Sequence, residues 1–257
     1  MPRKRVAVEL IVLGSCGTWP GAGGATSGFL VRHEGFDLWL DAGSGTLSRL
    51  QMHEPLSQID AVLISHAHPD HFLDLYPTYF ARFYYRQGEG TLPVRGPDDF
   101  FDRFEQVISE DSRETVRETF DWTPLGAGQT FEMGPLRVET FEMEHIGVKA
   151  LGYRIQAGDT VLAYTGDTGP SDEVVKLARD ADLFLCEATW QNHENLAPFH
   201  LSAAQAAEHA SRAGVRRLML THIPPVHDRE RSRSEAAEVF TGPIDLAIEG
   251  ERHEVGS

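Results

Sequence analysis

The chain predicts a mixed α/β fold, and three observations carry that expectation. Short apolar runs of strand length alternate with amphipathic helical patterns from end to end. The 257 residues are 41% hydrophobic, enough to bury one large core, and no Ser/Gly/Pro linker or charge block divides them. Chemistry-bearing side chains recur at the ends of the apolar runs, as on a sheet whose functional loops share one edge. Residues 1–257 are therefore expected to form a single domain.

Taken in order, Val6 to Leu13, Gly28 to His33 and Asp37 to Asp41 read as strands, and Asp41-Ala42-Gly43-Ser44-Gly45 as a tight loop entering a helix through Leu50. Arg3-Lys4-Arg5, the apolar stretch and Leu13-Gly14-Ser15-Cys16 imitate a lipoprotein signal. Glu9 interrupts its apolar core, and cleavage would remove a strand running into the glycine-rich turn Gly14 to Gly24, so the segment is read as part of the fold. Cys16 and Cys186 lie far apart on apolar patterns and read as reduced core residues, which points to the cytoplasm.

Ile59 to Ile64 reads as a buried strand. Phe72 to Tyr85 reads as a helix whose stripe of Leu73, Tyr76, Phe80 and Tyr84 is expected to pack in the core. Gly96-Pro97-Asp98-Asp99 breaks the chain before a helix from Phe100 to about Ser109. Strands follow at Leu136 to Glu142, Leu151 to Gln156, Val161 to Thr165 and Arg217 to Thr221. Ser202 and Gln205 have capping-box spacing before the alanine-rich helix Ala203 to Ala213, which Gly214 stops.

The densest chemistry is His66-Ala67-His68-Pro69-Asp70-His71, directly after the Ile59 to Ile64 strand. Three imidazoles and a carboxylate so close together suit a divalent metal. In extended chain His66 and His68 point the same way and can hold one ion, while Asp70 and His71, past the bend, face a second. His145, Asp167 in Thr165-Gly166-Asp167-Thr168-Gly169, and His222 each follow a strand, as His66 does. Singly each could be a surface or turn residue; their recurrence at one sheet edge makes them candidate ligands. His33, His53, His193, His209 and His253 read as ordinary histidines, and His227 is a candidate for the pocket mouth that nothing in the sequence establishes.

This ordered set resembles the ligands of the metallo-β-lactamase fold. The resemblance runs from Leu13-Gly14-Ser15 and Leu40-Asp41-Ala42-Gly43 to Thr221-His222-Ile223-Pro224-Pro225. It implies a four-layer αββα sandwich and a two-zinc site, with His66, His68 and His145 at one ion, Asp70, His71 and His222 at the other, and Asp167 bridging. Mn2+ or Fe2+ would suit the same donors. An aspartate at 167, where one large class of β-lactamases has cysteine, argues against that activity.

Cys186-Glu187-Ala188-Thr189 and Phe199-His200-Leu201-Ser202 resemble loops of the ribonuclease Z-like phosphodiesterases, in which a glutamate supports a histidine that protonates the leaving oxygen. The resemblance implies Glu187 and His200 in those roles and Asp70 orienting a metal-bound hydroxide. His200, just before a helix N-terminus, is expected to have lowered proton affinity. Gly21 to Ser27 reads as a strand connection or as a source of N–H donors beside the pocket. Asp74 stands where the family usually has glycine, a departure expected to reshape the pocket entrance.

For substrate, 39 acidic against 23 basic residues, a net charge of −16, disfavour extended nucleic acid. A long tRNA-binding arm, common in ribonuclease Z between the third histidine and the bridging aspartate, has no room between His145 and Asp167. The expected substrate is a small phosphodiester such as a cyclic nucleotide, as in compact phosphodiesterases of the superfamily. A tRNA 3′-processing endonuclease and a thioester or lactone hydrolase are the alternatives. No apolar run approaches the ~18 residues of a membrane span, and a homodimer is common among the proteins resembled.

Overall fold

The computed structural model describes residues 8–192 and 197–256; Arg3, Lys4, Arg5, Val6 and His193 of the readings above lie outside them. Strands β1 (Val8–Gly14), β2 (Gly28–His33) and β3 (Phe36–Leu40) lead into helix α1 (Thr46–Leu50). Next come β4 (Ala61–Leu63), α2 (Pro69–Phe72), α3 (Leu75–Tyr85), β5 (Leu92–Pro97), α4 (Phe100–Glu105), α5 (Arg113–Thr119) and β6 (Phe120–Leu125). The chain continues through β7 (Thr130–Met133), β8 (Leu136–Met143), β9 (Ala150–Ala157), β10 (Thr160–Tyr164), α6 (Asp172–Ala178) and β11 (Leu183–Glu187). After α7 (Ala203–Ala213), β12 (Leu218–Thr221), α8 (Arg229–Ala237) and β13 (Ile244–Leu246), strand β14 (Arg252–Val255) returns to pair with β1.

Two seven-stranded sheets result, in the orders β14-β1-β2-β3-β4-β5-β6 and β13-β12-β11-β10-β9-β8-β7. Period-two alternation explains how they stack. Leu10 and Val12 of β1 point between the sheets, where Phe29 meets Tyr164 edge-on at 5.5 Å, while Ile11 and Leu13 point outward to helices. The outer face of the first sheet is covered by α1 to α5 and that of the second by α6 to α8, giving the expected αββα layers. The small side chains of Ala203, Ala206, Ala207 and Ala210 let α7 approach its sheet closely, and its Ser202–Gln205 capping box and left-handed Gly214 stop are both present.

Strands β10, β11, β12 and β13 are mutually parallel, and β8 runs with them because it and β10 are both antiparallel to β9. The C-terminal end of β4 joins the same edge, since Leu151 donates to the Ser65 carbonyl and His66 bridges to Ala150. That edge collects the candidate ligands, as the carboxyl ends of strands do in α/β sheets.

Several expectations about the helical layer need correction. The Phe72 to Tyr85 segment is split, because Asp74 turns its carboxylate to the Leu47 amide at 2.7 Å. Asp74 therefore ties α1 to α3 rather than shaping a pocket entrance. The Leu73/Tyr76/Phe80/Tyr84 stripe is not core: Leu73, Phe80 and Tyr84 are 39%, 48% and 59% exposed, and only Tyr76 is covered, stacked on Phe104 at 4.4 Å. The buried face instead carries Leu75, Thr78, Tyr79 and Arg82. Two adjacent aromatic stripes run along this helix, and periodicity alone does not say which faces the sheet. Helix α4 also stops at Glu105, short of Ser109.

Candidate metal centre

His66 follows β4 on chain still paired to β9, and His68 keeps extended backbone (φ −86°, ψ 143°) as the N-cap of α2. Pro69, with its fixed φ, starts the helix at the position where a missing N–H costs nothing. The turn carries Asp70 and His71 toward His222, with the His71 ring still 4.1 Å from that of His66. His145 enters after β8, Asp167 after β10 and His222 after β12.

All seven candidate ligands converge. His68 Nδ1 lies 3.1 Å from His66 Nε2 and 2.9 Å from His145 Nε2, and Asp167 Oδ2 lies 3.7 and 3.9 Å from those two Nε2 atoms. On the other side, Asp70 Oδ2 is 3.2 Å from His222 Nε2 and 3.7 Å from His71 Nε2. Asp167 reaches both of these nitrogens as well, at 3.3 Å each. His66, His68, His145 and Asp167 form one group able to hold a metal ion, and Asp70, His71, Asp167 and His222 a second, with Asp167 common to both.

Hydrogen bonds fix which imidazole nitrogen faces inward. Asp41, fully buried, accepts from Ser65 N–H, Ser65 Oγ, Tyr164 OH and His71 Nδ1, each at 2.7 Å. Ser65 Oγ, having given its proton to Asp41, accepts from His66 Nδ1 at 3.1 Å. His145 Nδ1 donates to the Phe199 carbonyl at 2.9 Å, and His222 Nδ1 to Thr189 Oγ1 at 2.9 Å. Four imidazoles thus turn Nε2 to the centre, while His68 turns Nδ1. Thr18 N–H donates to Asp70 Oδ2 at 3.0 Å.

Electrostatics agree with a cation site. Burial, with neighbouring imidazoles, pushes His66 well below the ordinary histidine value and His68 down to about 4; burial also lowers His145. These are neutral donors, as metal binding requires. Burial opposes charge on Asp167 and Asp70, yet His222 and His71 hold Asp167 well below the usual carboxylate range, and His71 and His222 lower Asp70. His71 is also penalised by burial, but Asp167, Asp70 and Asp41 raise it well above the histidine norm. His71 Nε2 and Asp167 Oδ1 are buried without a hydrogen-bond partner. A divalent cation between them satisfies both atoms, and the imidazole–carboxylate donor set suits zinc, manganese or iron.

Beside this centre, His200 Nδ1 contacts Glu187 Oε1 at 2.9 Å and Oε2 at 3.2 Å. Glu187 is fully buried and also accepts from Thr168 N–H at 2.6 Å and Thr189 Oγ1 at 2.7 Å. The His200 ring stacks on His222 with centroids 5.5 Å apart and lies 5.1 Å from His145. Burial disfavours charge on His200, but the Glu187 carboxylate outweighs it and raises the pKa to about 9. This reverses the lowered proton affinity expected from the α7 N-terminus, because a carboxylate in contact outweighs a helix dipole.

Within Gly21 to Ser27, Gly24 N–H donates to Gly21 and Thr26 N–H to Ser44, as in a plain connection; the amide that reaches the centre is that of Thr18. Cys16 and Cys186 are buried and free, as expected. Sequence reasoning gave no site role to Asp41, Ser65, Tyr164 or Thr189. Asp41, in a strand-ending Leu-Asp-Ala-Gly, and Thr189, in Glu-Ala-Thr, left local signals.

Residues 36–223 match the model of the beta-lactamase superfamily domain. An uncharacterized protein of Mycobacterium tuberculosis is 37% identical, covering 97% of this chain and 93% of its own. The probable metallo-hydrolase YhfI of Bacillus subtilis is 31% identical, covering 95% of this chain and 98% of its own, and its crystal structure superimposes with a TM-score of 0.87 at 28% identity over 97% of this chain and 100% of that one. Ribonuclease Z of Thermobifida fusca is 30% identical, covering 93% of this chain and 92% of its own.

Proposed function

The chain belongs to the beta-lactamase superfamily, and from that premise we propose that it is a single-domain, two-metal phosphodiesterase acting on a small phosphodiester such as a cyclic nucleotide. The observation that carries this is the Glu187–His200 dyad set against both candidate metal groups, with a His200 pKa of about 9. A hydrolase that only needs an activated water has no use for a second, protonated imidazole there; expulsion of a basic alkoxide does. The 30% identity to a ribonuclease Z supports the same chemistry.

In this reading His66, His68 and His145 would hold one ion and Asp70, His71 and His222 the other, with Asp167 available to both. Two divalent ions bound there, zinc first and manganese or iron as substitutes, would supply Lewis acidity toward the phosphoryl oxygens and would acidify water to near neutrality. Asp70, itself fixed by the Thr18 amide, orients the attacking water. His200, with Nδ1 engaged by Glu187, delivers the proton on Nε2 to the leaving oxygen.

The size of the substrate follows from what surrounds the centre. Only β9 and β10 separate His145 from Asp167, so nothing there resembles a tRNA-gripping arm, and the net charge of −16 opposes a long polyanion. Two free, buried thiols support a reducing compartment such as the cytoplasm, and no helix among the described residues is long and apolar enough to cross a membrane. The exposed Pro77, Phe80 and Tyr84, spaced i, i+3, i+7 along α3, offer a surface for a homodimer, which light scattering tests.

The deciding assay compares metal-loaded protein on bis(p-nitrophenyl) phosphate, 2′,3′- and 3′,5′-cyclic nucleotides and a precursor tRNA, with metal content measured on the same sample. Turnover of cyclic nucleotides without tRNA cleavage is expected. Clean removal of a tRNA 3′ trailer would replace the proposal with a ribonuclease Z activity, and silence on every phosphodiester would redirect it to thioesters and lactones.

A further inference from the structure

Next to His145 the ligand-bearing edge opens into a cleft of about 450 Å³, within the usual size of small-molecule sites. Topology makes it continuous with the metal centre. The ends of β5 and β6 follow β4 along the first sheet, the ends of β8 and β9 face them, and the cleft wall at Ala150 and Leu151 is the segment that pairs with His66 and Ser65. Leu125, Met143 and Leu151 give the cleft an apolar lining.

Its rim is acidic. Lys149 is engaged by Asp98 at 2.6 Å, which leaves the carboxylates of Glu142 and Glu144 to set the local charge. Arg103 pins the rim loop by donating to the Gly147 carbonyl at 3.1 Å. Such a cleft repels a phosphate. It accepts a flat apolar group whose edge carries hydrogen-bond donors, because an ionised carboxylate is an acceptor only.

We propose that this cleft is the base subsite of the enzyme, taking a purine that bears an exocyclic amino group while the phosphodiester of the same nucleotide lies at the His/Asp centre. The inference rests on the phosphodiesterase reading for the identity of the substrate, not for the existence of the subsite. The purine stacks against the apolar lining, and Glu142 and Glu144 accept from its exocyclic amino group and, in guanine, from the ring N1–H as well. Hydrogen bonds to a charged acceptor contribute enough to separate bases by about tenfold.

Calorimetric titration of the zinc-loaded protein with AMP, GMP, UMP and ribose 5-phosphate tests this without any need for turnover. AMP and GMP are expected to bind at least about tenfold more tightly than ribose 5-phosphate, with UMP, which lacks an amino group, clearly weaker than both. Ala127→Trp and Val148→Trp fill the cleft from two different loops, so a folding defect in one leaves the other decisive. Each is expected to abolish the preference for AMP and GMP over ribose 5-phosphate. Equal binding of all four ligands to the wild type, or a preference that survives both tryptophans, overturns the subsite; UMP binding as tightly as AMP and GMP overturns the role of the amino group. Purine binding lost in both variants, combined with no hydrolysis of cyclic nucleotides by wild type, would retain the subsite and remove only the phosphodiesterase reading.

Discussion

The two halves of the candidate metal centre are built differently. The His66, His68 and His145 group is steadied by one hydroxyl and one backbone carbonyl. The Asp70, His71 and His222 group is backed by Asp41, Thr189 and the Thr18 amide, and Asp41 is itself fixed by Ser65 and Tyr164. Neutral imidazoles turned by a hydroxyl and a backbone carbonyl suffice for the first. Two carboxylates, a third behind His71, and buried imidazoles cannot be gathered so cheaply, because each buried charge needs a partner. The second position therefore depends on a buried carboxylate, Asp41, and on Thr189, which the Glu187–His200 dyad shares.

If that contrast is functional, removing His200 sharpens it most. His200→Ala is expected to lower kcat on phosphodiesters about 10²–10⁴-fold while metal content stays at the wild-type level; a parallel loss of metal would make His200 a ligand and break the division. Asp41→Asn follows, with metal affinity at one of the two positions falling about 10–100-fold in chelator competition and the other position hardly changing. Equal loss at both positions would show that they are one cooperative unit. Thr189→Val should weaken the same position at the lower end of that range, about tenfold, with Thr189→Ser restoring it.

The smallest effect is a displacement along the pH axis. His200 has a raised pKa, so its acid form is present below about 9 and is lost as pH rises through that value. The alkaline limb of kcat is therefore expected near pH 9, and Glu187→Gln should move it down toward the ordinary histidine value of about 6.5. A limb that does not move with Glu187 would detach the dyad from the proton transfer.

What was readable in the sequence is what a local pattern carries. The His66-x-His68-x-Asp70-His71 run, Asp167 among glycines and the Ser202–Gln205 cap are local patterns, and the structure places each where its spacing implies. Asp41 was visible only as the end of a strand, since its partners Ser65, His71 and Tyr164 lie 24, 30 and 123 residues away. The α3 stripe was misassigned because both faces of that helix are aromatic, and Asp74 because its amide partner, Leu47, is 27 residues upstream. Strand β14, which closes the first sheet against β1, had no turn or alternation strong enough to mark it.

Asp41 and His222 share a further trait: each sits immediately after a strand with φ of 55°, in the left-handed region that side chains other than glycine seldom occupy. Such residues hold strain of order 1–3 kcal/mol, at the lower end for aspartate and histidine. Evolution for heat resistance alone would thus meet two places where glycine relieves the backbone and disables the chemistry. A screen that scores only soluble, folded protein is expected to enrich inactive variants there, and pairing it with an activity screen would show these positions pulling in opposite directions.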